Sequence, residues 1–83
     1  ILSYLKSKEC IDCGYSKSII PLEFDHVRGT KIKEISVMIS DGYPIKIILE
    51  EIEKCDIVCS NCHRIRTETR RNSYRAKFED RKL

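Results

Sequence analysis

The stretch CSNCHRIRT, Cys59 to Thr67, holds the densest chemistry in this chain. A Cys-x-x-Cys pair offers two thiolates from one tight turn. A histidine follows the second cysteine at once, and arginines follow the histidine. A second pair, Cys10 and Cys13, lies in CIDCG near the start. Four thiolates in two such pairs satisfy a tetrahedral zinc ion, each short spacing letting two sulfurs converge without strain. The long gap between the pairs makes the ion tie the two ends of the domain together, so that zinc affinity becomes folding free energy. The fifth cysteine, Cys55, stands alone and reads as a small buried hydrophobe.

A filled Cys10/Cys13/Cys59/Cys62 site leaves the only two histidines of the chain, His26 and His63. His26 follows Asp25 in LEFDHV, and His63 follows the second knuckle. Both regions adjoin the zinc staple, so Asp25, His26 and His63 are expected around one cleft. A carboxylate and an imidazole suit a hard or borderline divalent ion. A second imidazole beside them suits a general base, because imidazole exchanges its proton readily near neutral pH. In a regular strand Asp25 and His26 point to opposite faces. Both reach one site only where the backbone bends, and Arg28-Gly29 just beyond supplies an expected bend.

Charge is unevenly spread. From Ile1 to His63 there are eight basic and ten acidic residues; from Arg64 to Leu83 there are eight basic and three acidic. A basic stripe that starts at Arg64 and takes in Arg66, Arg70 and Arg71 suits a polyanion, although a merely solvated helix face has the same composition. No run is apolar enough to cross a bilayer, and no segment reads as a signal peptide. Cysteines in that setting read as thiolates on a metal, which places the protein in the cytoplasm.

The elements that must position these residues are short. Residues 1–8 read as a helix, 10–14 as a knuckle with Gly14 free to take a positive φ, and 19–27 as a strand that Pro21 weakens near its start. Residues 28–31 read as a turn, and 33–40 as a helix carrying Ile35, Met38 and Ile39. DGYP then breaks the chain, with Pro44 at the first position of the next helix. In that helix Ile45, Ile48, Leu49 and Ile52 repeat as an amphipathic stripe. CDIVC is expected as a short buried strand. A helix over 61–74 would set His63, Arg66, Thr67, Arg70 and Tyr74 along one face. It has little to bury, so it needs the knuckle as an anchor. At 83 residues the chain is read as a single domain, with a core over about 10–72 and a basic extension over 73–83. A domain of this size needs a staple.

Together, CIDCG, LEFDHV and CSNCHRIRT resemble the HNH endonuclease family, and in particular its short zinc-stapled members common in phages and bacterial genomes. The likeness runs from about Cys10 to Thr67. It implies an α+β fold: a small zinc-stapled ββα-metal (His-Me finger) domain with additional short helices. It implies Asp25 as carboxylate ligand of a catalytic divalent ion, His63 as the second ligand, His26 as the base that activates water, and Cys10, Cys13, Cys59 and Cys62 as structural zinc ligands. The catalytic ion would be Mg²⁺, Mn²⁺ or another divalent cation. The partner would be DNA, held mainly by its phosphates through Arg64, Arg66, Arg70 and Arg71, with a dimer suited to cutting both strands. The middle Asn of the family motif has no clear equivalent, since Glu53-Lys54-Cys55 occupies that stretch and Asn61 lies inside the knuckle. Two other readings of the residues stand beside this one: a zinc-stapled nucleic-acid-binding module without catalysis, and a zinc-held protein-interaction knuckle.

Overall fold

The computed structural model describes residues 2–80. It is a small α+β domain built on one two-stranded antiparallel sheet. A short helix α1 (Leu2–Lys6) leads into the first knuckle and then strand β1 (Leu22–His26). Two helices, α2 (Ile35–Ser40) and α3 (Ile45–Ile52), form the connection to strand β2 (Cys55–Cys59). Helix α4 (Ser60–Arg71) follows β2 without an intervening residue, and α5 (Tyr74–Asp80) ends the described chain. Among the described residues no helix is long and apolar enough to cross a membrane.

Strand β1 starts only after Pro21, which cannot donate to a ladder. The Pro21 carbonyl still accepts from Ser60 N at 2.8 Å, extending the pairing by one bond. The register pairs Leu22 with Cys59, Phe24 with Ile57 and His26 with Cys55, and between them Glu23 with Val58 and Asp25 with Asp56. Opposed residues in an antiparallel pair share a face. One face therefore carries Leu22, Phe24, His26, Cys55, Ile57 and Cys59. The other carries Glu23, Asp25, Asp56 and Val58, and α4 lies against it.

Two small cores flank this sheet. Leu5, Cys10, Leu22, Ile57, Val58 and Cys59 form one, while Ile35, Met38, Ile48, Ile52 and Cys55 form the other. Tyr4 and Phe24 pack against both and join them. The expected stripe of α3 is realised in half: Ile48 and Ile52 are buried, whereas Ile45 and Leu49 stay exposed. Glu51 takes the inward place between them, 2% exposed.

The expected helix over 61–74 is split. Asn72 adopts the left-handed conformation (φ 54°) and caps α4, its N–H donating to the Thr69 carbonyl at 3.0 Å. Asparagine tolerates that conformation better than most residues and ends helices in this way. Tyr74 consequently falls on α5 and leaves the face that the sequence period assigns to it. The basic extension over 73–83 is helical as far as Asp80, and its residues 81–83 lie outside the described part.

Candidate functional site

The two knuckles meet. Gly14, at φ 80°, closes the first, with its N–H donating to the Cys10 carbonyl at 2.8 Å. Ile11 N donates to Ile57 O at 2.9 Å and ties this knuckle to β2. The second knuckle is the start of α4 itself: Cys59 is the N-cap residue, and its sulfur accepts from Cys62 N at 3.5 Å. The four sulfurs of Cys10, Cys13, Cys59 and Cys62 all lie within 4.8 Å of one another, and Cys13 Sγ is 3.8 Å from Cys59 Sγ. Four sulfurs held about 2.3 Å from one tetrahedral zinc stand about 3.8 Å apart. The donor set and its spacing thus fit a closed zinc site with no position left for substrate.

Thiol chemistry agrees. Burial works against the Cys10 thiolate, yet backbone donors from Cys59, Cys13 and Asp12 outweigh it and draw the pKa down to about 6. The Cys62 thiol is pushed up, by the Cys59 sulfur first and then by burial. A thiolate among crowded sulfurs is what a divalent cation relieves. Cys55 lies apart in the second core, where burial pushes its thiol up to about 11, as suits an inert core residue.

His63 belongs to a different constellation. It sits in the first turn of α4, over the polar face of β1. Its Nδ1 is 2.7 Å from Glu23 Oε1, and its Nε2 is 3.6 Å from Asp25 Oδ1. Glu23 and Asp25 are two residues apart on one strand, so the pleat points both at the helix. Asp25 is 4% exposed. Arg70 donates to both its oxygens, NH1 to Oδ1 at 2.8 Å and NH2 to Oδ2 at 2.7 Å. Arg66 NH1 adds a third bond, to Oδ2 at 2.8 Å. Arg70 first, then Arg66, hold the Asp25 carboxyl down to about 2 against the opposing effect of burial.

Arg66 is spent on the protein. Besides Asp25 it binds Asp12 through Nε and NH2, at 2.7 and 2.8 Å, and Asp56 through NH1 at 3.1 Å. The reason is the register: Asp25 and Asp56 are directly opposed, and like charges in that position repel. One guanidinium between them cancels the repulsion, and its reach to Asp12 fastens the first knuckle to α4. Arg66 is therefore placed as a bracket of the fold, not as a free phosphate contact. Arg64 is exposed, and Arg71, also exposed, reaches Glu68 at 3.4 Å.

His26 is not brought to this face. Strand β1 stays regular through His26, and the bend comes three residues later, at Gly29 (φ 65°). Alternation then turns His26 to the opposite side of the sheet, where its Nε2 lies 3.1 Å from Glu51 Oε2. Glu51 also accepts from Ile32 N at 3.0 Å and from Lys54 Nζ at 2.9 Å. Lys54, first among several causes, keeps the Glu51 carboxyl below its ordinary range. Lys54 Nζ continues to Thr30 O at 2.8 Å, so one buried carboxylate ties α3, the turn after β1 and His26 together.

Sequence reasoning passed over Glu51, Glu23, Asp12 and Asp56. A signal existed for the first: Ile48, Glu51, Ile52 and Cys55 fall at i, i+3, i+4 and i+7, one face of a helix. For Glu23 the signal was its place two residues before Asp25.

Two residues, Asp25 and His63, thus form an adjacent oxygen and nitrogen donor pair. Donors each about 2.1 Å from one ion stand about 3.0–3.4 Å apart. Their 3.6 Å separation is within a few tenths of an ångström of that. The fit has one condition, that Arg70 release the oxygen it shares with such an ion.

Comparison of the chain with protein-family models, with curated proteins and with solved structures gives no match.

Proposed function

We propose that the protein is a metal-dependent endonuclease of the HNH type that hydrolyses phosphodiester bonds in DNA. The observation that carries this reading is the approach of Asp25 on β1 to 3.6 Å from His63, which opens an arginine-rich helix beside the four-cysteine cluster. The order β1, β2, α4, with the carboxylate on the first strand and the imidazole at the start of the helix, is compatible with a ββα-metal arrangement.

In this account the four cysteines hold zinc as scaffolding. Asp25 and His63 would hold a divalent ion, Mg²⁺, Mn²⁺ or another divalent cation, which when bound supplies Lewis-acid stabilisation of the phosphodiester. Arg70 is half exposed and exchanges Asp25 for a DNA phosphate, which uncovers the carboxylate as substrate arrives. Arg64 and Arg71 add contacts that position the backbone without reading bases. His26 would take the proton from water, a role that requires it to leave Glu51 and reach the face of Asp25 and His63.

The test is plasmid cleavage by the zinc-loaded protein with added Mg²⁺ or Mn²⁺, comparing wild type with Asp25→Ala, His63→Ala and His26→Ala. The expected result is nicking by wild type, and loss of rate by about 10²–10⁴-fold for His26→Ala, as for removal of a general base. Full activity of His26→Ala with inactive Asp25→Ala and His63→Ala would transfer the base role to another group. Intact plasmid with every protein would overturn the nuclease reading.

A second reading is a zinc-stapled DNA-binding module without catalysis. It is favoured by the contact of His26 with Glu51 and by the two arginines on Asp25. Binding that weakens steeply with salt, with no cleavage under any divalent ion, would establish it.

A further inference from the structure

The polar face of β1 carries one more carboxylate that the proposed reaction has not used. Glu23 is paired with Val58 in the ladder and points at α4, as Asp25 does. Its Oε1 is 2.7 Å from His63 Nδ1, a short contact for a neutral pair and ordinary for a charge-assisted one. A carboxylate at neutral pH only accepts, so the proton of this bond sits on Nδ1. In a neutral imidazole the electron pair then belongs to Nε2. Nε2 is the nitrogen that faces Asp25.

From this we infer that Glu23 is the positioning residue of His63: it selects the Nδ1–H tautomer and fixes the ring so that Nε2 is presented, unprotonated, beside Asp25. This deepens the nuclease reading, on which its metal-binding consequence rests. Histidines that ligate metals commonly donate their other N–H to a carboxylate, and loss of that partner typically costs about 10–100-fold in metal affinity. The local geometry explains why Glu23 and not a residue of α4 does this. Helix α4 contributes only Glu68 as an acid, five residues beyond His63 and on another side of the helix. The strand, with a side chain every second residue on one face, supplies Asp25 below one ring nitrogen and Glu23 below the other.

Glu23 is half exposed and carries no other side-chain hydrogen bond among the described residues, so its removal leaves the fold in place. Two readouts are taken on the zinc-loaded protein. The first is the tautomer of His63, read from long-range ¹⁵N–¹H correlations at pH 8 without other metals. The second is Mn²⁺ affinity by calorimetry. Wild type should show protonated Nδ1 and bare Nε2. Glu23→Ala should show a mixture or the other tautomer, with Mn²⁺ affinity lower by about 10–100-fold. Glu23→Gln keeps an accepting oxygen and should recover most of the tautomer and part of the affinity. An unchanged tautomer in Glu23→Ala would overturn the role of Glu23, whatever the metal does. A changed tautomer in a protein whose wild type binds no Mn²⁺ would uphold Glu23 as the residue that positions His63 and would overturn the ion site of the nuclease reading instead.

Discussion

Asp25→Asn separates a carboxylate kept for structure from one kept only for function. Asp25 is 5% exposed at its side chain and lies between the guanidinium groups of Arg66 and Arg70. Its pKa falls from an ordinary 3.8 to about 2. At about 1.36 kcal/mol per unit, that displacement corresponds to roughly 2 kcal/mol of folding free energy. A lowered folded-state pKa gives a contribution that is complete above 3.8 and disappears as pH falls through about 2, so at pH 7 it is present in full. Asn keeps the shape and loses the charge. Urea unfolding of the zinc-loaded proteins at pH 7 should therefore show Asp25→Asn less stable by roughly 2 kcal/mol. Arg70 makes two bonds to Asp25 and is the larger cause of the lowered pKa, but its side chain is 49% exposed against 20% for Arg66. Water can replace Arg70 more easily, so a double-mutant cycle should give a coupling of about 1–2 kcal/mol with Arg66→Gln and under about 1 kcal/mol with Arg70→Gln. A neutral or stabilising Asp25→Asn would show instead that Arg66 and Arg70 do not compensate the buried carboxylate.

Chelation should remove one zinc per chain and unfold the domain, as judged by circular dichroism, since the two cores are small. Alkylation at pH 8 should leave Cys55 unmodified in the zinc-loaded protein, burial having pushed its thiol up to about 11, whereas the chelated protein should take five adducts by mass spectrometry. Glu51→Ala should cost about 1–3 kcal/mol in urea unfolding, because it takes the acceptor from the Ile32 N–H and the partner from His26, while Lys54 keeps the Thr30 carbonyl. Arg70→Ala should bind Mn²⁺ at least about fivefold more tightly than wild type in the absence of DNA, measured by calorimetry, because it removes the competitor for Asp25.

The four-cysteine cluster was legible from spacing alone, since two Cys-x-x-Cys pairs carry their geometry in the sequence. The β1 and β2 strands and the α2–α3 helical pair were legible from period and from the breaks at Pro21 and DGYP. Charge pairing was not. The fate of Arg66 depends on which residues oppose each other across the sheet, and that register follows from the chain reversal through α2 and α3. The side taken by His26 turns on where the backbone bends; the expected bend residues are present, but Gly29 acts three residues too late to rotate it. Glu51 was hidden because a carboxylate is rarely buried, and its cost is met only by partners distant in sequence. The break at Asn72 depends on one residue accepting a positive φ, which helical periodicity does not register.

In the proposed nuclease the cysteine cluster brings Asp25 and His63 around a second, substrate-facing metal position. Crystals of the zinc-loaded protein with a short DNA duplex, soaked in Mn²⁺ and measured at the manganese edge, test it directly. The expected result is an anomalous peak coordinated by Asp25 and His63 Nε2, with Arg70 moved from the carboxylate to a phosphate. Arg70 still bridging Asp25 in the DNA complex, with manganese elsewhere or absent, would contradict it.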